Sequence, residues 1–412
     1  MILVWILPWF LFVILSLGVT FFLNIKVSNE VYLYYLSFSI LPILFYPFFQ
    51  KFVLHLQSRT VLVYKSSRLL DISFISLSLI AVIFLYIDRV YYQQIDLSLG
   101  IAQIRLLLYR KAQLRVEYSS IFSMLGQFLS HAYMPILITH ALVYFKKDAR
   151  ILRTSIVFVL SYIVTLAYSF MIAGRSPILF YLVILSTCLI FSFLKNRPQK
   201  FTYRHLYPVL LLALVSILYN NIVLSSRFKA SHETTKKYTV ETVNYLSENV
   251  SFLDRGSSVD SNLFYAQIVT VSYFMHSTWR ADKYLISKDK CYYTLKPLVH
   301  ILNTIKGRVA NKLNCEDDGF MVSLPIALVH DYGVVWMLFF SITFFVVCNF
   351  LYNNFLRCDF SFLNLILVYF GSVIILSPFM YTVIFVSYYL SFFWILVFCI
   401  LAKITNSKKY LK

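Results

Sequence analysis

The sequence predicts an all-α, polytopic integral membrane protein with about ten transmembrane helices and one large outer loop. Of its 412 residues, 60% are hydrophobic and 13% are charged, whereas soluble domains have about 45–50% apolar and about 25% charged residues. So few polar side chains would not cover a soluble globule, which excludes a soluble enzyme, a collagen and a disordered chain. Ten hydrophobic runs also have the roughly 18 or more residues that a helix needs to cross a bilayer. The runs lie near residues 2–23, 31–49, 70–87, 118–145, 154–173, 177–194, 206–224, 333–352, 361–379 and 382–402.

The connections between these runs alternate in charge. Every second connection and the C-terminal segment are basic, and together they hold 17 of the 37 Lys and Arg residues but only three acids, Asp71, Asp148 and Asp359. Because positively charged loops stay in the cytoplasm, this alternation predicts ten spans with both termini cytoplasmic. It also accounts for most of the net charge of +19, so nucleic acid is not an expected partner. The first run has no signal-peptide features, so we expect an uncleaved span.

Two segments on the predicted outer side are longer than simple links. Residues 88–117 place leucines among basic residues, which is typical of an amphipathic helix in the membrane interface. A surface helix that only anchors its loop is the alternative. Residues 225–332 form one large loop with apolar stretches, which we expect to fold. The chain therefore divides into seven helices over 1–224, the loop over 225–332, and three helices over 333–412.

Motifs for several chemistries are absent from the sequence. It has neither the P-loop pattern nor the G-x-G-x-x-G pattern that cradle phosphates, so ATP hydrolysis is not expected. It has no H-E-x-x-H or C-x-x-C spacing for zinc, so we expect no cofactor and no metal. Of the six cysteines, only Cys291 and Cys315 lie in the outer loop, where either a disulfide or two free thiols are expected.

Ionisable groups inside the hydrophobic runs are few. Carboxylates are nearly absent from the middle of the runs, whereas ion-coupled transporters place Asp or Glu there, so a secondary transporter is disfavoured. His131 and His140 lie in the fourth run at a spacing that does not put them on one helix face. We expect neutral, hydrogen-bonded packing for both.

Arginine is the side chain that best suits a pyrophosphate ligand on the outer face, because its guanidinium binds phosphate oxygens bidentately. Arg175 lies in AGRSP, the tight turn between the fifth and sixth runs, and is either an interfacial anchor or such a ligand. The loop arginines are further candidates, for which a solvated surface position is the alternative: Arg227, Arg255, Arg280 and Arg308.

The outer loop also contains candidates for a base or a hydrogen-bond acceptor. His330 begins the HDYG segment just before the eighth run, where an imidazole can bind a sugar hydroxyl or accept its proton. Asp254 in DRG and Asp317 in EDDG are the candidate carboxylates, and Tyr332 is a candidate for sugar binding. The alternatives are an interfacial cap for His330 and structural turn acids for the two carboxylates.

Several segments resemble the Wzy-type polymerases, which are bacterial polymerases of O-antigen or oligosaccharide repeat units. They are LGIAQIRLLLYR at 99–110, AGRSPILFYLVIL at 173–185, the DRG and GRVANK segments, and HDYGVVWMLFF at 330–340. The layout of spans and loop is similar over the whole chain, whereas the motifs cover a small part of it. The resemblance implies a GT-C-like fold in the bacterial inner membrane, with its active site on the periplasmic face.

The resemblance also implies a reaction between two repeat-unit chains carried on undecaprenyl pyrophosphate. The acceptor hydroxyl attacks the anomeric carbon of the donor, and undecaprenyl pyrophosphate departs without help from a metal. The expected ligands of pyrophosphate or sugar are Arg175, Arg227, Arg255, Arg280, Arg308 and Tyr332, and the expected catalytic residues are His330, Asp317 and Asp254. Trp279, Tyr292 and Tyr293 suit stacking on sugar rings or an interfacial belt.

The expected partners are the lipid-linked oligosaccharide as donor and acceptor, the membrane lipid, and a protein that regulates chain length. Two other functions remain open. An O-antigen ligase has the same chemistry and a similar layout, and it places a histidine late in its large loop, as His330 is here. A flippase of lipid-linked oligosaccharide would need internal repeats and a charged central cavity, neither of which the sequence contains.

The pyrophosphate assignment predicts that Arg175→Ala and Arg255→Ala each abolish polymer at normal protein level. Arg175→Lys should fail as well, because an ammonium lacks the bidentate fork of a guanidinium. Surface-polysaccharide gels of complemented deletion strains measure this. Wild-type ladders from both alanine variants would contradict the assignment.

Overall fold

The computed structural model describes most of the chain as helices, and it contains no strand within the described residues. Those residues are 1–22, 25, 27–56, 68–101, 103–105, 107–108, 120–146, 151–174, 176–196, 203–230, 237, 239–241, 243, 262–286, 292–294, 322–358, 361–379 and 386–407. The helices are α1 (Ile2–Phe22), α2 (Asn29–Leu56), α3 (Arg68–Ile87), α4 (Ile121–Leu129), α5 (Met134–Leu142), α6 (Ile151–Met171), α7 (Ser176–Asn196), α8 (Tyr203–Ala230), α9 (Asn262–Trp279), α10 (Ala281–Ile286), α11 (Leu324–Tyr332), α12 (Val334–Arg357), α13 (Phe362–Leu376) and α14 (Val386–Ser407).

Within the described residues, eight helical stretches are long and apolar enough to cross a membrane, so the chain is a multi-pass membrane protein. They coincide with eight of the ten predicted runs. The other two predicted runs, 206–224 and 361–379, fall on the shorter apolar stretches Val209–Val223 and Phe362–Leu376. The count of ten spans therefore stays a prediction. Helix α8 continues to Ala230, so the chain is still helical where the outer loop was expected to have begun.

The fourth span consists of two short helices rather than one continuous helix. Pro135 in the first turn of α5 has no N–H with which to continue the hydrogen bonds of α4, so the chain turns at residues 130–133. His131 lies in this turn, and its Nδ1 is 2.9 Å from Ser130 Oγ and 3.2 Å from the Gln127 carbonyl. The predicted hydrogen-bonded packing of His131 is thus present.

Contacts between residues divide the chain into two compact units. Unit 1 comprises residues 1–60, 233–354 and 370–388, and unit 2 comprises residues 61–232, 355–369 and 389–412. Each unit therefore combines segments that are distant in sequence. The division into seven helices, a loop and three helices stays a prediction.

The core of unit 1 is aromatic. Trp5 of α1 stacks on Phe38 of α2 with ring centroids 5.8 Å apart, and Trp9 lies 5.7 Å from Tyr35. The indole N–H of Trp5 donates to the Ser39 carbonyl at 3.0 Å. Such ring pairs contribute more than their buried area alone. Helix α11 packs on α2 and on α10, so this core supports the end of the outer loop.

Unit 2 is built around α3, which packs against α4, α5 and α6. Near its start, the buried Asp71 carboxylate accepts from His140 Nε2 of α5 at 2.7 Å and from Arg153 of α6. The predicted hydrogen-bonded packing of His140 is therefore present, and its partner is a carboxylate. Three helices are joined at this point because a buried charge requires donors around it.

The segment after α3 differs from a simple loop. The helix continues as a π-helical turn, Asp88–Tyr92, and a short 3-10 turn, Leu97–Leu99, follows. Beyond it, Ile101 and Ile104 are buried, whereas Arg105 is exposed. This one-sided pattern agrees with the predicted amphipathic character of 88–117, and its place in the membrane interface stays a prediction.

Gly126 of α4 allows the close approach of α3. A Cβ built at this position would lie 2.6 Å from Leu85 Cγ and 3.1 Å from the Leu85 backbone nitrogen. Small residues permit such close contacts between membrane helices. At Gly18 of α1, by contrast, a Cβ would meet no atom within 4 Å.

We expect Gly126→Ala to destabilise the protein by about 1–3 kcal/mol, because the new methyl group forces α3 and α4 apart. Gly18→Ala is the matched control and should leave stability unchanged or slightly raised, since alanine favours helix. Thermal unfolding of the purified full-length protein in detergent measures both. Equal midpoints for the two variants would contradict the close packing at Gly126.

Candidate active site

The candidate site lies in unit 1, where α11 meets α12. Pro325 occupies the first turn of α11, where a missing N–H costs nothing. The helix ends at Tyr332 because Gly333 adopts a φ of 85°, which favours glycine, and donates its N–H to the Val329 carbonyl. This turn places the HDYG residues at the end of α11, beside residues 292–294.

The Asp331 carboxylate organises this region. Its side chain is fully buried, and it accepts four hydrogen bonds. His330 Nδ1 and the Tyr293 N–H donate to Oδ1 at 2.8 and 3.0 Å. The N–H and the hydroxyl of Thr294 donate to Oδ2 at 2.7 and 2.6 Å. A buried carboxylate is stable only with such donors, so Asp331 fastens residues 292–294 to α11.

His330 is oriented by the same carboxylate. Because Asp331 Oδ1 accepts, the Nδ1 of His330 carries the proton and the Nε2 of the neutral ring carries a lone pair. Among the residues that the structure describes, Nε2 has no hydrogen-bond partner. The ring packs edge-on against Tyr293 at 4.8 Å between centroids. An imidazole held in this way is arranged to accept a proton at Nε2.

Tyr332 lies beside this pair and is 43% exposed. Thr294 Oγ1 gives its single proton to Asp331, so the Tyr332 hydroxyl donates to Thr294 Oγ1 over 2.9 Å. The Tyr332 ring lies 6.2 Å from that of the half-buried Tyr292. Tyr332 thus contacts Thr294 and Tyr292 and has a partly exposed ring.

The other two loop aromatics expected to stack on sugars are not exposed. Trp279 and Tyr293 are buried in the hydrophobic core of unit 1, where they pack among residues of α1, α2 and α11. Their burial argues against sugar stacking, and both serve the core instead.

Arg280 is the only predicted arginine ligand whose side chain belongs to the described part of the chain. It lies between α9 and α10 and is buried, so the alternative of a solvated surface position does not apply to it. Its backbone N–H donates to the His276 carbonyl at 3.1 Å. Burial, and then the nearby positive charge of Arg280, lower the pKa of His276 to about 4.

The surroundings of Arg280 are held by side-chain hydrogen bonds from unit 1. The Tyr35 hydroxyl lies 3.3 Å from Thr278 Oγ1 and accepts from Ser323 Oγ at 3.2 Å. Asp282, at the start of α10, accepts from the Ser28 N–H at 3.0 Å. These bonds connect α2, α9, α10 and the start of α11, so the corner that carries Arg280 is fixed.

Most of the other predicted site residues lie outside the described residues. These are Arg175, Arg255, Arg308, Asp254 and Asp317, together with the cysteines Cys291 and Cys315. Arg227 lies on α8, but its side chain is not described. The convergence of these arginines and carboxylates therefore stays a prediction.

Two residues of the site were missed by sequence reasoning. Asp331 directly follows His330 in HDYG, and this adjacency was the available signal for a carboxylate that orients the imidazole. Thr294 carried no signal, because it reaches Asp331 across 37 positions of the chain.

The described residues contain no group of three or more His, Cys, Asp or Glu side chains that could hold a metal ion. Comparison of the chain with known protein families, with curated proteins and with solved structures found no match. The resemblance to the Wzy-type polymerases thus stays a prediction that rests on the sequence motifs.

The lowered pKa of His276 predicts that acid destabilises the protein. The unfolded chain binds a proton near pH 6.5 and the folded chain only near pH 4, so stability is lost as the pH falls through this window. The loss attributable to His276 should reach at most about 3 kcal/mol. His276→Gln should remove that part of the slope in thermal unfolding between these pH values. An unchanged slope would mean that other groups cause it.

Proposed function

We propose that this protein is a membrane glycosyltransferase that polymerises undecaprenyl-pyrophosphate-linked oligosaccharide repeat units into O-antigen or a similar surface polysaccharide. The observation that carries the proposal is the His330–Asp331 pair, in which a buried carboxylate orients an imidazole with Nε2 left as acceptor. A group of this kind removes a proton from a sugar hydroxyl as the hydroxyl attacks.

The proposed reaction uses the pair as follows. The acceptor hydroxyl donates a hydrogen bond to His330 Nε2, and its oxygen attacks the anomeric carbon of the donor chain. The carbon–oxygen bond to undecaprenyl pyrophosphate breaks, the leaving group takes the bonding electrons, and His330 takes the proton. Asp331 stabilises the resulting imidazolium through the 2.8 Å hydrogen bond at Nδ1.

Tyr332 is the proposed contact for the acceptor sugar, because its ring is exposed and its hydroxyl bonds Thr294, which also bonds Asp331. Arg175, Arg227, Arg255 and Arg308 remain the proposed ligands of the departing pyrophosphate, where fixed guanidinium groups stabilise the developing charge. Arg280 is buried, which favours a supporting role at the α9–α10 corner over direct contact with the lipid. Asp254 and Asp317 remain proposed catalytic carboxylates, each a candidate base or hydrogen-bond acceptor near the hydroxyl of the acceptor sugar.

We place the protein in the bacterial inner membrane, with a GT-C-like fold, ten spans, cytoplasmic termini and a periplasmic active site. Eight apolar helices and the alternation of basic connections support this arrangement. The lipid-linked oligosaccharide and a chain-length regulator protein are the proposed partners.

The His330–Asp331 pair favours an enzyme over a flippase, because moving a lipid across the bilayer breaks no bond and requires no base. It does not separate a polymerase from a ligase, since both transfer a sugar chain from the same lipid carrier. The transfer chemistry is the same for either acceptor, and a genetic test distinguishes a polymerase from a ligase.

Deletion of the gene in its own host, followed by a surface-polysaccharide gel, tests the proposal. A polymerase deletion leaves core carrying one repeat unit and no ladder. A ligase deletion leaves bare core while polymer accumulates on the lipid carrier. A flippase deletion traps lipid-linked units in the cytoplasmic leaflet. Either of the last two results would overturn the proposal of a polymerase.

We predict that His330→Gln lowers polymer formation by about 100-fold or more, because the base is removed. Asp331→Asn should have a similar effect, since an amide cannot accept all four hydrogen bonds. Thr294→Ser is the control, because it keeps the hydroxyl that donates to Asp331. In vitro transfer with purified variants of equal thermal stability measures this. A His330→Gln variant with wild-type rate would exclude the role of base.

A further inference from the structure

A second buried carboxylate, in unit 2, holds an arginine at the end of α3. The fully buried Asp88 accepts from Arg89 Nη1 at 3.1 Å, from Gln93 Nε2 at 2.8 Å and from the Ser120 hydroxyl. Arg89 Nε in turn donates to the Met171 carbonyl of α6 at 3.0 Å. The guanidinium is therefore held at Nε and at Nη1 by two elements.

The third nitrogen of this guanidinium, Nη2, donates no hydrogen bond within the described part of the chain. Arg89 has five N–H donors, and the two bonds to Asp88 and Met171 leave Nη2 with no partner among the residues that the structure describes. The side chain is only 8% exposed, so few waters reach it. Gln93 and Ser120 also donate hydrogen bonds to Asp88, so the carboxylate does not depend on Arg89 alone. An unmatched donor of a charged group in such a position requires an acceptor.

Unusual backbone surrounds this arginine. Arg89 belongs to the π-helical turn Asp88–Tyr92, a conformation that is rare and frequent at functional sites. Gln94, just after the turn, and Ala173, two residues after Met171, have φ values of 50° and 49°. Non-glycine residues in this left-handed region are uncommon and costly, and they cluster at ligand sites. Left-handed residues thus follow both of the elements that hold the Arg89 guanidinium.

The position of Arg89 along the span indicates which acceptor is available. It lies at the end of the apolar stretch Arg68–Tyr92, and the rings of Tyr91 and Tyr92 that follow it are exposed. Exposed tyrosines at the end of a span are typical of the headgroup level of a bilayer. The anions that are abundant at this level are lipid phosphates.

We propose that Arg89 binds the phosphate of a membrane lipid through the N–H groups of Nη2. Asp88 and Met171 fix the plane of the guanidinium and therefore the position of Nη2. The phosphate comes either from a phospholipid headgroup or from a polyprenyl carrier, which present the same oxygens. This site lies outside the residues assigned to glycosyl transfer, and it does not depend on that function.

Binding of defined lipids to the purified full-length protein in dodecyl maltoside tests the site. The probes are dioleoylphosphatidylglycerol, undecaprenyl phosphate and, as a phosphate-free control, dioleoylglycerol. Dissociation constants are measured for the wild type, for Arg89→Lys, and for Arg68→Lys as the matched control. Arg68 is an exposed arginine at the opposite end of α3.

We expect a phosphate lipid to bind the wild type and dioleoylglycerol not to bind. Arg89→Lys should weaken binding by about tenfold or more, because a lysine cannot bond Met171, Asp88 and a phosphate together. Arg68→Lys should bind like the wild type. Equal affinity for both phosphate lipids identifies a general headgroup site, whereas binding of undecaprenyl phosphate alone identifies a carrier site. Wild-type affinity of Arg89→Lys, or equal binding of dioleoylglycerol, overturns the proposal.

A second measurement uses the wild-type protein and does not depend on the folding of a variant. Phenylglyoxal modifies accessible guanidinium groups, and mass spectrometry of peptides locates the modification. The phosphate lipid that binds should protect Arg89 and should leave Arg68 reactive. The proposal is overturned if Arg89 is not modified in the absence of lipid, or if lipid leaves its modification unchanged. In either case the Nη2 N–H groups are not the binding group.

Discussion

A buried carboxylate must be surrounded by hydrogen-bond donors. Three buried carboxylates therefore determine where distant segments of this protein meet. Asp71 joins the start of α3 to α5 and α6, Asp88 joins its end to the start of α4, and Asp331 joins α11 to residues 292–294. An unmatched charge in an apolar interior would cost several kcal/mol. Each segment that supplies a donor is therefore held in one place. The three carboxylates lie near the ends of helices.

The helices themselves could be predicted from sequence, because a membrane span needs little more than length and hydrophobicity. The breaks within the helices and the residues at which helices end were harder to predict from sequence. The turn at residues 130–133 depends on one proline within a run that is apolar throughout, and the extension of α8 to Ala230 passes through polar residues that hydropathy assigns to a loop. The two compact units combine distant segments, and hydropathy carries no information on which helices pair.

The sites were predictable only where local sequence carried the chemistry. His330 was found because it stands at the junction of loop and span, whereas Thr294, which bonds the neighbouring Asp331, lies 37 positions from that carboxylate. Arg89 was missed because residues 88–117 were assigned to a loop, where an arginine is ordinarily solvated. The π-helical turn keeps Arg89 on the end of α3 instead. Its partner Met171, and Ser120, which bonds Asp88, come from other elements. Burial is decided by these long-range contacts, which sequence patterns do not encode.

The two sites use one device for opposite purposes. In each unit a fully buried carboxylate bonds one nitrogen of a planar group and leaves another nitrogen without a partner among the described residues, with His330 offering a lone pair and Arg89 offering N–H donors. The same arrangement therefore suits a proposed base in unit 1 and, independently, a proposed phosphate ligand in unit 2. Each arrangement needs only one buried carboxylate, which a chain with 18 acidic residues can supply.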